Sequence, residues 1–474
     1  MKQEILHQLR TILGRENLLT APEDLACYSF DGSGGKTPPQ AVAFPDSTEQ
    51  VAAILRLADS HRFPVIPRGA GSGMTGGALP VHGGLVLALG RMNRILEIDT
   101  DNLIAVVQPG VITGELQSAL QKKGLMYPPD PASLKFCTLG GNAAECAGGP
   151  SAVKYGVTRD YIIGCEAVLP SGKVITTGVR TEKGVTGYDL THLLIGSEGT
   201  LAIFTKLILR LLPLPEAGKT FLLLFSTIEQ AAEIVAEILR SGIMPCTLEY
   251  MDQTAISVVG EMLSTPLPDT TRALLLLEID GTGEEVELQA GAIRTFLASR
   301  PVILQEAATE EERQQLWQAR RSISPATFSI KPHKISEDVV VPRSKIPNLV
   351  HCTNRLAGEL ELTILTFGHA GDGNIHVNIM IDKNDPQEYD RGLKAKEKLF
   401  KEVLKLGGTL SGEHGIGTTK AAFLPLEITP ATLSLMQQIK QLFDPNNVLN
   451  PGKIFPEAPG KTGFCAKGSD IENP

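Results

Sequence analysis

A chain of 474 residues with 42% hydrophobic and 20% charged residues has apolar mass for two or three domains, which excludes a disordered or fibrous class. A formal charge of −9 leaves no basic stripe to neutralise phosphates, and one tryptophan with seven tyrosines supplies few stacking platforms, so a nucleic-acid binder is excluded. The seven cysteines stand singly at 27, 137, 146, 165, 246, 352 and 465, which argues against a disulfide framework, a zinc ribbon or an iron–sulfur cluster in this chain.

The start carries an acid at Glu4 and no unbroken apolar core, and no run of about 18 apolar residues follows anywhere, so neither a secretory signal nor a transmembrane segment is expected. That reading places the protein in the cytoplasm, with a peripheral position at the inner membrane compatible with it. Ile5, Leu6, Leu9, Ile12 and Leu13 mark a short amphipathic helix before a glycine-rich turn. Residues 41–44 read as a strand, 48–61 as a helix capped by Ser47 or Thr48, and 64–67 as a second strand, a βαβ opening.

That second strand runs into P-R-G-A-G-S-G-M-T-G-G at 67–77, where five glycines in nine residues leave a backbone able to turn freely and cradle phosphates. Gly71 to Gly76 satisfies the G-x-G-x-x-G pattern, but a Rossmann loop must open a helix. Here Pro80 and Gly83-Gly84 follow, then the apolar run 85–89, so NAD binding of that kind is rejected.

Strands are expected at 85–89, 95–98 and 104–108, and a helix at 113–123 that ends at Gly124. Tyr127-Pro128-Pro129-Asp130-Pro131 is neither helix nor central strand, and 139–142 with 147–150 form a second glycine-rich loop region. Two such regions spaced by strands imply an extended ligand lying along loops. Segments 164–169, 195–200 and strand 207–212 close the first domain, and Pro213 and Pro215 mark its boundary.

Beyond it, strand 220–225, helix 228–241, strands 247–251 and 273–280 and helix 284–299 follow the order of a ferredoxin-like sheet. A second half is suggested by 362–367, 375–381 and helix 388–406. The end offers a helix from 432, then L-N-P-G-K at 449–453, and residues 457–474 read as disordered.

Two clusters can carry chemistry. In T-F-G-H-A-G-D-G-N-I-H-V-N at 366–378, His376 and Asn378 share one strand face, and His369 at the turn can fold over it. In S-G-E-H-G-I-G at 411–417, an acid and a base stand exposed between glycines. Two imidazoles and a carboxylate suit a divalent metal with positions left open for substrate, and zinc, iron and manganese each accept that set.

Taken in order, the loop 67–77, P-P-D-P at 128–131, G-G-N at 140–142, Y-G-V-T-R-D at 155–160, G-S-E-G-T-L at 196–201, the histidine clusters and N-P-G at 450–452 form a specific series. By that series the chain resembles the FAD-linked 2-hydroxy-acid dehydrogenases of the vanillyl-alcohol oxidase type. These include glycolate oxidase GlcD subunits and D-lactate and D-2-hydroxyglutarate dehydrogenases. The likeness runs from about residue 20 to about 455.

The resemblance implies an α+β fold: a PCMH-type FAD-binding domain of two α/β subdomains at 1–215 and a ferredoxin-like antiparallel cap at 216–425. A segment 426–456 would return to the FAD domain, followed by the tail 457–474. FAD would lie with its pyrophosphate on Arg68, Gly69, Ala70, Gly71, Ser72 and Gly73. Further contacts would come from Pro129, Asp130, Gly141, Gly148, Ile203 and Asn450. Relatives with covalent FAD use a histidine in the glycine loop; Ala70 and Ser72 stand in that region here, so FAD would be noncovalent. Cys146 departs from the asparagine of many relatives.

By the same likeness His369, His376 and Glu413 would hold the metal with Asn378 as a fourth contact, His414 would be the catalytic base, and Arg320 and Lys334 would hold the substrate carboxylate. Arg320 suits that task because its planar fork grips a carboxylate. The implied reaction oxidises a small D-2-hydroxy acid to the 2-oxo acid. Electrons would pass to an iron–sulfur subunit, an electron-transfer flavoprotein or a quinone. Three rivals fit less well. An alkylglycerone-phosphate synthase type does not account for both histidine clusters. An iron oxygenase has no use for the FAD loops, and a noncatalytic or electron-relay subunit would have lost the histidines.

Overall fold

Helix Thr48–His61 turns Val51, Ala52, Ile54, Leu55 and Ala58 to one side, and Ser47 Oγ caps it by accepting the Gln50 N–H at 3.4 Å. In the computed structural model, which describes residues 1–263 and 267–456, that side covers a four-stranded sheet. Its order is Leu18–Leu19, Ala41–Ala43, Leu85–Ala88, Val65–Arg68, with the last three strands parallel. Helix Gln3–Leu13 packs into the same core. Strands covered on both faces are largely apolar, which is why those at 41–43, 65–68 and 85–88 were legible as short hydrophobic runs, while the two-residue Leu18–Leu19 was not.

The second sheet is antiparallel throughout, in the order Ile95–Asp99, Ile104–Val107, Ile203–Arg210, Ile162–Val168, Val174–Gly178. Residues 139–142, expected as a loop, instead open helix Leu139–Glu145, because Thr138 Oγ1 accepts the Gly141 N–H at 3.3 Å as a cap. Glycine serves close approach there: a Cβ on Gly140 would lie 2.5 Å from Pro109 Cβ. The helix ends on Cys146 at φ 57°, a conformation that asparagine tolerates better than cysteine.

Seven antiparallel strands form the third sheet, ordered Ile303–Glu306, Ala217–Phe225, Ala273–Gly281, Thr247–Asp252, Thr363–His369, Asn374–Ile381, His333–Val340. With helices Ile228–Arg240 and Gly283–Leu297, the first four strands make a ferredoxin-like unit whose sheet runs fourth, first, third, second. Around this sheet the sequence reading missed strands Ile303–Glu306 and His333–Val340 and helices Gln253–Val259 and Ile346–Leu360. One sheet face is buried under helices Ile228–Arg240, Gly283–Leu297, Ile346–Leu360 and Pro386–Lys405. The other takes helices Gln253–Val259 and Glu310–Ala326 over part of its area, and the polar residues of the site stand beyond their apolar cover.

After helix Pro430–Phe443 the chain runs beside the first sheet: the Val65 N–H donates to Val448 O and the Asn450 N–H to Val65 O, both at 2.8 Å. Asn450 Nδ2 donates to Gly77 O at 3.1 Å and Glu198 O at 2.7 Å, tying the glycine loop to the 196–200 turn. Asn450→Ala leaves those two acceptors unpaired in a buried setting and is expected to cost about 1–3 kcal/mol, read as a lowered midpoint in urea. The tail 457–474 lies outside the described residues.

Candidate active site

The register of the seven-stranded sheet assembles the site. Glu249 stands opposite His369, Phe367 opposite His376, and His376 opposite Asp338, so all five project from one face. Asp338 then draws a loop over that face. Its Oδ2 accepts three successive backbone N–H groups, from Gly412 at 3.0 Å, Glu413 at 2.7 Å and His414 at 2.9 Å. Glu413 Oε1 thereby lies 3.4 Å from His369 Nε2, 3.7 Å from His376 Nε2 and 4.0 Å from His414 Nε2. The ligand atoms of His369, His376 and Glu413 all fall within 4.8 Å of one another. The His376 and His414 rings stack at 5.4 Å. Glu413 and His414, expected to be exposed, are half-buried under this arrangement.

Glu249 was not singled out from sequence, since T-L-E-Y-M-D reads as an ordinary strand. It is fully buried, with Oε1 2.5 Å from His369 Nδ1 and Oε2 reached by Arg320 Nε at 2.6 Å and Nη2 at 2.5 Å. Burial pushes its carboxyl up, but Arg320 and His369 outweigh that and hold it down at about 2. Glu413 behaves alike: burial opposes ionisation, while the bond to His369 and the surrounding imidazoles bring it to about 2. Burial, then His369, pushes His376 down to about 3, so it is a neutral imidazole. For His369, burial opposes protonation, yet Glu249 and Glu413 raise it well above the usual range. Two carboxylates thus flank His369 from opposite sides and call for positive charge between them, the setting of a cation held by imidazole backed by carboxylate.

Arg320 is buried on the cavity wall over the Phe367 ring at 4.9 Å, but the fork expected to grip a substrate carboxylate is engaged on one side by Glu249. Lys334 lies off the wall. Its Nζ donates to Ser324 O at 2.9 Å and Oγ at 2.8 Å, and burial lowers it to about 8. Asn378, on the His376 face, has neither side-chain amide atom partnered among the described residues, although it is buried.

A cavity of about 750 Å³ joins the cluster to the glycine loop. Its wall includes Arg68, Gly69, Ala70, Gly71, Ser72, Gly73, Asp130, Gly141 and Ile203 on one side and Arg320, His369, His376, Glu413 and His414 on the other. A side chain at Gly71, φ 71°, would collide with the Arg68 guanidinium, which lies under the loop and donates to Phe30 O at 2.8 Å. The loop therefore presents backbone to the cavity. Asp130 accepts from Ser151 N at 3.1 Å and Oγ at 2.8 Å, but burial dominates and raises it to about 7.

Three residues expected at the flavin do not line the cavity. Pro129 is buried with its carbonyl accepting Gln117 Nε2 at 3.0 Å. Gly148 backs the cluster, where a Cβ would lie 2.8 Å from Glu413 Oε2. Asn450 holds the glycine loop from behind.

Residues 39–178 match the family model of an FAD binding domain, and residues 214–454 that of FAD linked oxidases, C-terminal domain. The chain is 44% identical to the glycolate oxidase subunit GlcD of Bacillus subtilis (strain 168) over 96% of this chain and 97% of that one. It is 35% identical to a D-lactate dehydrogenase of Anaerostipes hadrus, covering 89% and 90% of the two chains. In fold it is similar to a crystal structure of p-cresol methylhydroxylase with substrate bound, at a TM-score of 0.80 and 20% identity over 95% and 96% of the two chains. A C-terminal model spanning half the chain, joined to an FAD-binding domain and a close relative along almost the whole length, makes this chain a member of the FAD-linked oxidase family.

Proposed function

We propose that the protein is an FAD-dependent dehydrogenase that oxidises a small D-2-hydroxy acid, D-lactate or glycolate, to the 2-oxo acid and passes the electrons to an external acceptor. The observation that carries this reading is one cavity holding both a backbone cradle at 68–73 and the cluster His369, His376, Glu413 with His414 beside it. The names of the relatives, a glycolate oxidase subunit and a D-lactate dehydrogenase, support the substrate class.

The residues fit both groups: glycines that leave no room for side chains face the cavity, and the donor set is two imidazoles and a carboxylate. When bound, FAD supplies a hydride acceptor, and a divalent ion, zinc, iron or manganese, supplies Lewis acidity beside the substrate hydroxyl. The protein's own part is positioning and proton transfer. Glu249 keeps a proton on His369 Nδ1 and so turns Nε2 toward Glu413. Arg320 faces the cavity with the part of its fork that Glu249 leaves free, which suits a carboxylate. His414 Nε2 takes the hydroxyl proton, and the C2 hydrogen leaves with its electron pair. Trp317 and Phe367 on the same wall exclude water.

The scattered cysteines offer no cluster site in this chain, so the acceptor is an iron–sulfur subunit, an electron-transfer flavoprotein or a quinone. Among the described residues no helix is long and apolar enough to cross a membrane. The test is anaerobic: glycolate, D-lactate, L-lactate and D-2-hydroxyglutarate are added separately to FAD-loaded, metal-replete protein while the flavin band near about 450 nm is followed. Bleaching by glycolate or D-lactate is expected. Bleaching by D-2-hydroxyglutarate alone would reassign the substrate, and no bleaching by any of them would remove the dehydrogenase reading.

A further inference from the structure

We propose that Asp338 is a positioning residue for the reaction, fixing through its carboxylate which ring nitrogen of His414 carries the proton, with Lys420 holding Asp338 in place. The inference rests on His414 being the base.

Asp338 is fully buried on strand His333–Val340, directly opposite His376. Its Oδ2 is filled by the three amides of the 412–414 loop. Its Oδ1 faces Lys420 Nζ and the His414 ring, whose Nδ1 lies 3.4 Å away. Lys420 is 1% exposed, and its ammonium finds two further acceptors in Leu410 O at 2.9 Å and Ser411 Oγ at 3.0 Å. The neighbouring Glu337 projects to the other face and has its own lysine, Lys396, at 2.7 Å, so Lys420 is left chiefly to Asp338.

A carboxylate only accepts, and a neutral imidazole has one proton to offer. His414 has an acceptor at each end: Asp338 at 3.4 Å from Nδ1 and Glu413 at 4.0 Å from Nε2. With the proton drawn to Nδ1, Nε2 is bare toward the cavity and can act as a base. With the proton drawn to Nε2, it cannot. Asp338 is the nearer of the two acceptors and is fixed in place, which favours the working tautomer. Three loop amides donate to one Asp338 oxygen and the Lys420 ammonium to the other, so the carboxylate meets donors on both sides and serves as an acceptor.

Asp338→Asn keeps the shape but places an N–H donor opposite Nδ1. It is expected to slow substrate reduction of the flavin by about 10²–10³-fold, with substrate Kd and metal content per chain within about twofold of wild type. Adding it to His414→Ala should cost less than about a further twofold, because a residue acting through His414 has nothing left to act on. Nitrogen-15 histidine spectra, with His414 assigned by its loss in His414→Ala, should show Nδ1 protonated in wild type and Nε2 protonated in Asp338→Asn. Undiminished reduction in Asp338→Asn, an equal loss in both backgrounds, or an unchanged tautomer would each overturn the proposal. Wild-type reduction by His414→Ala alone would instead bring down the base reading. Should Asp338→Asn fail to fold, Lys420→Met is the second variant: the same non-additivity with His414→Ala is expected, and additive losses overturn the proposal.

Discussion

His414→Ala is expected to keep FAD and metal and to lose about 10²–10⁴-fold in the rate at which substrate bleaches the flavin, the usual scale of a general base. The separation of binding from chemistry follows from where the ring sits. His414 holds neither the backbone cradle at 68–73 nor the His369–His376–Glu413 set; it stacks on His376 at 5.4 Å and presents Nε2 4.0 Å from Glu413. Its loop is held by backbone N–H groups on Asp338, which alanine retains. Stopped-flow reduction under anaerobic conditions reads the rate, and absorbance with metal analysis reads occupancy. Added imidazole should restore part of the rate by filling the space left. Full reduction by the alanine variant removes His414 from the chemistry.

Glu249→Gln carries the second large effect, at a residue that touches neither cradle nor hydroxyl. Glu249 is a fully buried carboxylate shared by His369 Nδ1 and Arg320. Loss of a carboxylate behind a metal-binding imidazole typically weakens metal affinity about 10–100-fold. The same change strands the buried Arg320 guanidinium without its counter-charge, which costs about 3–5 kcal/mol of stability where one partner of a buried pair is removed. Metal content after dialysis against a graded chelator series and the urea unfolding midpoint read the two effects separately. Unchanged metal retention would detach Glu249 from the metal reading, even if the protein were less stable.

The histidine hairpin was legible because strand geometry is local. Residues two apart share a face, so His376 and Asn378 could be paired by counting, and the G-E-H-G loop announced an acid and a base. Strand His333–Val340 was hidden for the converse reason. On its site face Ser336 and Asp338 are polar, so H-K-I-S-E-D carries no apolar alternation although the strand is central to the site. Residues 139–142 were read as loop from their glycines, but the Thr138 cap and the contact with Pro109 favour a helix.

By itself the sequence determined the candidate residue sets that lie in short spans: the glycine loop, the histidine hairpin and the acid–base loop. Their residue types and spacings are set within one turn or one pleat. Only the tertiary structure decided what stands behind them. Glu249 meets His369 through strand register, Asp338 meets His414 across two segments, and Asn450 ties the glycine loop from the chain's far end. Those partnerships rest on alignment between distant strands, for which a single buried carboxylate or amide in an ordinary strand carries no local signal.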